Sequence, residues 1–320
     1  MAISKQAYIA TERRYAKKSS RSLFFEINKH KFIYLLLLPG LVYLVIFKYG
    51  PMYGLQLAFK DFLIMEGITG SPWVGLEKFI FLMKETAFWR AFKNTLIIAF
   101  LKILISFPFA IFLALVINEF RGRSTKKFFQ IAYTFPHFLS WVVISGIFFN
   151  FFSNTGALNN FLAVAGFEKM NLLTNASTFR MFLVFSTIWK EAGWSTIIYM
   201  AAISGIDPCL YESATMDGAS RLKQNLYITW PGIRSIVVVM LILRVGHIME
   251  AGFMQILNLY NPAVYNVADI IDTYIYRITF QAIPDFGRST AVGLFKGVIN
   301  TILLVSANGI AKRLGHKGVV

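Results

Sequence analysis

The sequence predicts an all-α integral membrane protein with six transmembrane helices. Of its 320 residues, 56% are hydrophobic, 16% are aromatic and only 15% are charged, and the mean hydropathy is +0.57. This composition is typical of chains that reside in lipid. A span needs about 20 mainly apolar residues to cross roughly 30 Å of hydrocarbon. Six runs meet that requirement: residues 32–50, 94–118, 128–152, 181–204, 233–256 and 289–310.

The distribution of positive charge predicts the orientation of these spans. The net charge is +16, but basic membrane proteins place Lys and Arg in loops that stay in the cytoplasm, so no nucleic-acid partner is implied. Residues 1–31 contain eight basic residues, and the tail 311–320 contains three. Segments 153–180 and 257–287 contain two and one. We therefore expect cytoplasmic N and C termini, and a cytoplasmic loop between the fourth and fifth spans.

The longest outer connection is expected at residues 51–93, before a transmembrane core at 94–310. Glycines and a proline mark turns along it, and Leu76–Met83 predicts a short interfacial helix. The stretch Lys48–Pro51 offers no small-x-small cleavage site, so we expect the first apolar run to be a retained anchor.

The long polar interruption in the second half is Asp207–Pro231, with the sequence DPCLYESATMDGASRLKQNLYITWP. Asp207 followed by Pro208 is typical of a helix start, because Asp caps free amides and Pro tolerates the first helical position. This predicts a helix from Pro208 to about Asp217. Gly218 can adopt positive φ, which allows it to end one helix and redirect the chain.

A second, amphipathic helix is predicted beyond Gly218. Its apolar residues recur at helical spacing: Ala219, Leu222, Leu226 and Trp230. We expect Pro231 and Gly232 to close this helix just before the apolar run that begins at Ile233.

The loop resembles the EAA loop of binding-protein-dependent ABC importer permeases. The matching residues are Tyr211-Glu212-Ser213-Ala214, Asp217-Gly218-Ala219, Ile228 and Trp230-Pro231. Ser213 stands where the family commonly has Ala, and Trp230 where an aliphatic residue is usual. The resemblance implies a pair of coupling helices that dock into a groove of an ATPase subunit. It assigns that contact to Tyr211, Glu212, Ser213, Ala214, Asp217, Gly218 and Ala219.

Further blocks extend the resemblance over nearly the whole chain after residue 30. They are KYGPMYGLQLAFKDF from Lys48, NTL at Asn94, FPHFLSWVV from Phe135, ADIIDTYIYR from Ala268 and TAVGLF from Thr290. Together they are similar to the maltose-type larger permease and to its oligosaccharide and polysaccharide subfamily, with alginate-type importer permeases the nearest match. The resemblance implies an ATP-driven importer in the bacterial inner membrane, with an acidic oligosaccharide such as alginate among the substrates.

The same resemblance implies the partners. They are a second, distinct permease, two ATPase subunits that hold ATP and Mg, and an extracytoplasmic solute-binding protein. This chain contains no GxxxxGK[ST], GxGxxG, HExxH or GxSxG pattern, so ATP hydrolysis or other catalysis needs another subunit. We therefore expect a transport subunit without catalytic residues, cofactor or metal. Its single cysteine, Cys209, excludes a disulfide within the chain.

Ionisable residues within the predicted spans indicate a path or a structural network, because charge at membrane depth is costly unless it faces a partner or water. Lys102 lies in the second span, and Lys190 and Glu191 lie in the fourth. Arg244, His247 and Glu250 follow at steps of three, within roughly a 120° arc of one predicted helix face.

Two hypotheses remain open for these residues. One is a salt-bridge network that joins Arg244 to Glu191 or Glu250. The other is a polar wall of a translocation path, for which the candidates are Lys190, Glu191, Trp194, Arg244, His247 and Glu250. Flat surfaces for sugar rings could come from Trp189, Trp194, Tyr199 and Phe253, although aromatic residues in spans also serve plain packing.

Two other classes of protein remain as alternatives. A secondary transporter is expected to show interrupted half-helices or an internal repeat, and no clear repeat relates the two halves. A membrane enzyme acting on a lipid-linked sugar needs clustered acids at a membrane face. Asp269 and Asp272 come closest to that pattern.

Overall fold

The computed structural model describes residues 28–120, 122–281, 283–313 and 315. The predicted N-terminal segment lies outside these residues up to position 27, and the predicted tail lies outside them at 314 and 316–320. Apart from an isolated bridge between Lys60 and Trp73, every regular element in the described residues is helical. The chain forms two units, Met1–Gln56 and Leu57–Val320.

The first unit contains the first predicted span. Helix α1 covers Lys31–Leu44 and continues through a π-helical turn at Val45–Tyr49 into a 3₁₀ segment at Gly50–Phe59. None of the side chains of α1 is buried, and Leu36 is 82% exposed. A helix that presents apolar side chains on every face is suited to lipid.

The second unit contains the remaining helices. Its first half comprises α2 (Gly67–Gly70), α3 (Glu77–Lys84), α4 (Thr86–Leu101), α5 (Phe107–Glu119), α6 (Arg123–Thr134), α7 (Trp141–Phe152), α8 (Ala157–Val164) and α9 (Ala176–Ser204). Its second half comprises α10 (Pro208–Met216), α11 (Arg221–Gln224), α12 (Trp230–Gly246), α13 (Phe253–Leu259), α14 (Tyr265–Ala268), α15 (Ile271–Tyr276) and α16 (Phe286–Arg313). The short helix predicted at Leu76–Met83 is α3.

Within the described residues, five helical stretches are long and apolar enough to cross a membrane. They are Lys31–Phe59, Thr86–Glu119, Trp141–Val164, Arg221–Gly246 and Phe286–Arg313. The fourth predicted span, 181–204, falls within α9, whose 29 residues extend about 43 Å at 1.5 Å per residue. Helix α9 is less apolar than the other spans because it contains several polar side chains. Some of these, including Ser186 and Thr196, are buried inside the protein.

The third predicted span, 128–152, is wrong as a continuous helix. Helix α6 ends at Thr134, a 3₁₀ turn covers Phe135–Phe138, and α7 begins at Trp141. Pro136 explains the break, because its ring cannot continue an α-helix and its nitrogen has no hydrogen to donate. The side chain of Ser140 accepts the Val143 amide and starts the new helix.

The fifth predicted span, 233–256, is also interrupted. Helix α12 ends at Gly246, and α13 begins at Phe253 after a turn in which Gly252 has φ +99°. The sequence spacing predicted that Arg244, His247 and Glu250 share one helix face, and this prediction is wrong. Only Arg244 lies within a helix.

Pro231 and Gly232 do not close the second helix of the loop, contrary to the prediction from the sequence. The helix passes from α11 through a π-helical turn at Asn225–Thr229 into α12, with Pro231 in the first turn of α12. A wider turn just before Pro231 accommodates its ring and its missing amide hydrogen.

Helix α9 is central to the second unit. It packs along α5 and α6, while α12 packs along α16. Gly193 allows the close approach of α6, because a Cβ atom there would lie 2.0 Å from the Tyr133 carbonyl oxygen. Only glycine fits at this contact.

Candidate functional site

A central cavity of about 420 Å³ lies between α4, α5, α9, α12 and the turn after α12. We use "central cavity" for this space. Its polar lining is Lys102, Ser106, Ser195, Tyr199, Arg244, His247 and Glu250. Although α12 ends before His247, the turn keeps this residue and Glu250 beside Arg244. The cavity wall therefore combines cationic groups, hydroxyls and one carboxylate.

Arg244 is exposed and has no ion pair within 4.0 Å among the residues that the structure describes. The salt-bridge network expected between Arg244 and Glu191 or Glu250 is therefore not formed. The Glu191 carboxylate instead contacts Nδ1 of His137 at 3.0 Å. The Arg244 guanidinium keeps its donors available to a molecule in the central cavity.

Lys190 stabilises the backbone at the break between α6 and α7. Its side chain is buried, and Nζ donates to the main-chain carbonyl oxygens of His137 and Leu139, both at 2.7 Å. Carbonyls released by the break thus obtain a charged donor. Neither Lys190 nor Glu191 lines the central cavity, whereas Trp194 does. The Trp194 ring stacks on the His137 ring with centroids 4.6 Å apart and an interplanar angle of 4°.

Lys102 is fixed by a polar network that the sequence reasoning missed. Its Nζ donates to the Ala251 carbonyl oxygen at 2.6 Å and to Oε1 of Gln255. The Gln255 side chain is 1% exposed, and its Nε2 donates to the Leu183 carbonyl oxygen and to Oγ of Ser186, both at 2.7 Å. The signal was an uncharged amide inside the apolar run 233–256. This network attaches the turn before α13 to α4 and α9.

A second cavity, of about 680 Å³, adjoins the turn before α13. We call it the aromatic cavity, because its lining includes the rings of Trp141, Phe253, Tyr276 and Phe280. Glu250 borders both cavities. The turn that contains Glu250 therefore lies between them.

The polar loop forms the predicted helix–glycine–helix joint, which we call the coupling joint (Asp207–Pro231). Asp207 caps α10, since its Oδ1 accepts the Cys209 amide at 2.9 Å. Gly218 has φ +72°, and the Ala219 amide bonds back to the Ala214 carbonyl oxygen at 2.8 Å. These are the geometry and bonding that end a helix at a glycine.

Side-chain hydrogen bonds connect the coupling joint to neighbouring helices. The Tyr211 hydroxyl lies 2.9 Å from Oγ1 of Thr229, and Nδ2 of Asn225 donates to Oε1 of Glu119 at 3.0 Å. The first contact connects α10 to the residue before α12, and the second connects the π-helical turn before α12 to the end of α5. A displacement of α10 would therefore reach two helices that line the central cavity.

The tip of the coupling joint is open to contact. Glu212, Ser213, Asp217 and Gly218 are exposed, whereas Tyr211, Ala214 and Ala219 are half-buried. Large apolar side chains around them are also exposed: Met216 by 89%, Leu222 by 79% and Tyr227 by 72%. Such a patch, rimmed by polar residues, is typical of a protein interaction surface.

Asp269 and Asp272, the acids considered for catalysis, are each neutralised by a cation. Asp269 is 0% exposed and accepts two hydrogen bonds from Arg277, at 3.0 and 2.7 Å. This bonding raises the pKa of Arg277 above its ordinary value. Asp272 pairs with Lys296 at 2.6 Å. Carboxylates that are each paired with a cation stabilise the packing of the helices. They do not form the acid–base pair that catalysis needs.

An all-helical membrane chain with a charged cavity and an exposed helix–glycine–helix joint has the architecture of a transport permease. Residues 106–316 match the family described as binding-protein-dependent transport system inner membrane component. The chain belongs to this family, and it is the membrane-embedded permease subunit of an ABC importer for oligosaccharides.

Relatives and solved structures agree over nearly the full length. The chain is 44% identical over 306 residues to the polygalacturonan/rhamnogalacturonan transport system permease protein YteP of Bacillus subtilis strain 168, covering 95% of each chain. It is 42% identical over 294 residues to protein LplB of the same organism, covering 92% of each. A chain of a bacterial alginate ABC transporter, solved in complex with an alginate pentasaccharide-bound periplasmic protein, superposes with a TM-score of 0.85 at 40% identity. That match covers 93% of this chain and 99% of the other.

Proposed function

We propose that this permease imports acidic oligosaccharides and that the central cavity is its share of the translocation path. The observation that carries the proposal is Arg244, an exposed guanidinium in the cavity wall that has no ion pair among the described residues. A uronate carboxylate supplies the planar pair of acceptors that a guanidinium binds in a bidentate manner. The alginate transporter and the polygalacturonan relative carry names that refer to acidic polymers, which supports this choice.

The rest of the cavity wall is suited to a sugar. Ser106, Ser195 and Tyr199 supply hydroxyls, and Trp194 supplies a flat ring.

Movement of the path would be driven through the coupling joint by two ATPase subunits, which hold the ATP and Mg. The exposed Glu212 and the apolar tip residues Met216 and Leu222 form a surface that such a subunit can bind. A second, distinct permease would complete the path, because one set of six helices forms a single wall. An extracytoplasmic solute-binding protein would deliver the substrate, with both termini of this chain in the cytoplasm.

Uptake into proteoliposomes tests this function. The permease is reconstituted with its partner subunits and binding protein, and uptake of a labelled uronate oligomer is measured with ATP, without ATP, and with an ion gradient alone. We expect uptake only with ATP, and faster uptake of the uronate oligomer than of a neutral oligomer of equal length. Uptake driven by the ion gradient alone would favour a secondary transporter.

A further inference from the structure

The aromatic cavity has the lining of a carbohydrate site rather than of a charged path. The Tyr276 ring lies 5.9 Å from the Phe253 ring and 5.4 Å from the Phe280 ring, measured between centroids. Trp141 belongs to the same wall, and Phe280 is 71% exposed. A pyranose ring has an apolar C–H face and a rim of hydroxyls. A row of half-buried rings that ends at the exposed Phe280 gives that face a surface on which to pack.

A few polar groups accompany the rings. Asp272 and Lys296 form an ion pair at 2.6 Å, with side chains 17% and 18% exposed. Glu250 adds an exposed carboxylate, and Tyr276 adds a hydroxyl. Apolar walls with a small number of fixed polar groups are typical of small-ligand sites. These donors and acceptors are of the kind that sugar hydroxyls bind.

The charge balance separates the two cavities. The aromatic cavity contains two carboxylates and one ammonium group, from Glu250, Asp272 and Lys296, and the ammonium group is already paired. The central cavity contains Lys102 and Arg244 as well as Glu250. A uronate carboxylate is therefore attracted to the central cavity, whereas the aromatic cavity offers it no free cation. Glu250 lies at the border of both, so the two spaces adjoin the same turn.

We propose that the aromatic cavity is a second sugar subsite, which binds one unit of the oligosaccharide through its ring face and hydroxyls and is indifferent to its charge. This inference rests on the proposed function, because it assumes that an oligosaccharide passes through this chain. It assigns discrimination between acidic and neutral units to Arg244. It assigns affinity for the sugar ring, common to both kinds of substrate, to Phe253 and Tyr276.

The test compares substitutions that remove the ring with substitutions that retain it. Tyr276→Leu keeps an apolar side chain and removes the flat surface, whereas Tyr276→Phe keeps the ring and removes the hydroxyl. Phe100→Leu is the matched control, since Phe100 is 59% exposed on α4 and lines neither cavity. Uptake of uronate and neutral oligomers is measured in proteoliposomes with the ATPase, second permease and binding protein, after the melting temperature of each complex has been compared with wild type.

We expect Tyr276→Leu to lower uptake of both oligomers by about fivefold, the size of effect typical of one lost aromatic contact. The ratio between the two substrates should stay at the wild-type value. Tyr276→Phe should fall between wild type and Tyr276→Leu, because it keeps the ring and loses the hydroxyl, and Phe100→Leu should remain close to wild type. Unchanged uptake of both oligomers by Tyr276→Leu would overturn the subsite, as would a fall confined to the uronate. The proposed function fails on different evidence, namely the absence of ATP-driven uronate uptake by the wild-type complex.

Discussion

The ammonium group of Lys190 in the middle of α9 donates a 2.7 Å hydrogen bond to the carbonyl oxygen of Leu139, in the gap between α6 and α7. A second 2.7 Å bond reaches the His137 carbonyl oxygen. One buried ammonium group therefore donates hydrogen bonds to backbone carbonyl oxygens that the break at Pro136 leaves without helical partners. This assigns Lys190, a candidate for the path, to the scaffold that supports it.

Lys190→Met should destabilise the complex, because it leaves carbonyl oxygens buried without donors. We expect a loss of about 2–4 kcal/mol, measured as a lower melting temperature of the purified complex. Lys93→Met is the control, since Lys93 is exposed on α4. A melting temperature unchanged from wild type would mean that water replaces the ammonium group and that Lys190 is not needed for the break.

Gly193→Ala should impair folding through the contact between α9 and α6. A Cβ atom at this position would lie 2.0 Å from the Tyr133 carbonyl oxygen, so the helices must separate. Overpacking of this kind typically costs about 1–3 kcal/mol. The measurement is the yield of folded complex and its melting temperature. Gly297→Ala is the control, because the space beside that helical glycine is empty within 4 Å, and equal behaviour of the two variants would contradict the prediction.

Gly218→Val should abolish transport while the protein stays in the membrane. Gly218 has φ +72°, which strongly strains a β-branched residue. The variant is assayed for membrane content and ATP-driven uptake. Gly218→Asn should retain much of the activity, because Asn tolerates the left-handed conformation better than other residues. Normal uptake by the valine variant would show that the turn between α10 and α11 is not required.

Glu212→Lys should weaken binding of the ATPase subunit, since the exposed carboxylate lies on the tip of the coupling joint. Co-purification of the ATPase and uptake are both measured, at two salt concentrations, because a surface ion pair is screened by salt. Glu168→Lys reverses an exposed charge in the segment before α9 and serves as the control. Full ATPase binding with unchanged uptake would remove Glu212 from the contact.

The sequence predicts the elements that depend on local chemistry. The cap at Asp207 and the positive φ of Gly218 follow from residue types at adjacent positions, and both are confirmed. The helix breaks at Pro136 and Gly246 were not predicted, because apolar runs on each side obscure an interruption of a few residues. Both breaks also have distant partners, Lys190 at the first and the Lys102–Gln255 network beside the second.

In the candidate site, too, residue types are predictable from the sequence, whereas contacts between distant residues are not. Arg244, His247 and Glu250 were selected because charge is rare in apolar runs, and all three line the central cavity, although by a turn rather than by one helix face. The pairing of Glu191 with His137 and the role of Gln255 depend on which helices pack together. A single sequence carries no information on that packing.

Arg244 tests the central claim most directly, because an exposed cation that lines a cavity and a cation in a structural pair respond differently to truncation. Arg244→Ala is purified with its partner subunits, its melting temperature is compared with wild type, and uptake of uronate and neutral oligomers is measured alongside the charge-retaining control Arg244→Lys. We expect a melting temperature close to wild type, a fall of about tenfold or more for the uronate, and a much smaller change for the neutral oligomer. Arg244→Lys should fall between wild type and Arg244→Ala, because it keeps the charge and loses the bidentate geometry. A large drop in melting temperature with an unchanged ratio between the two substrates would contradict the account.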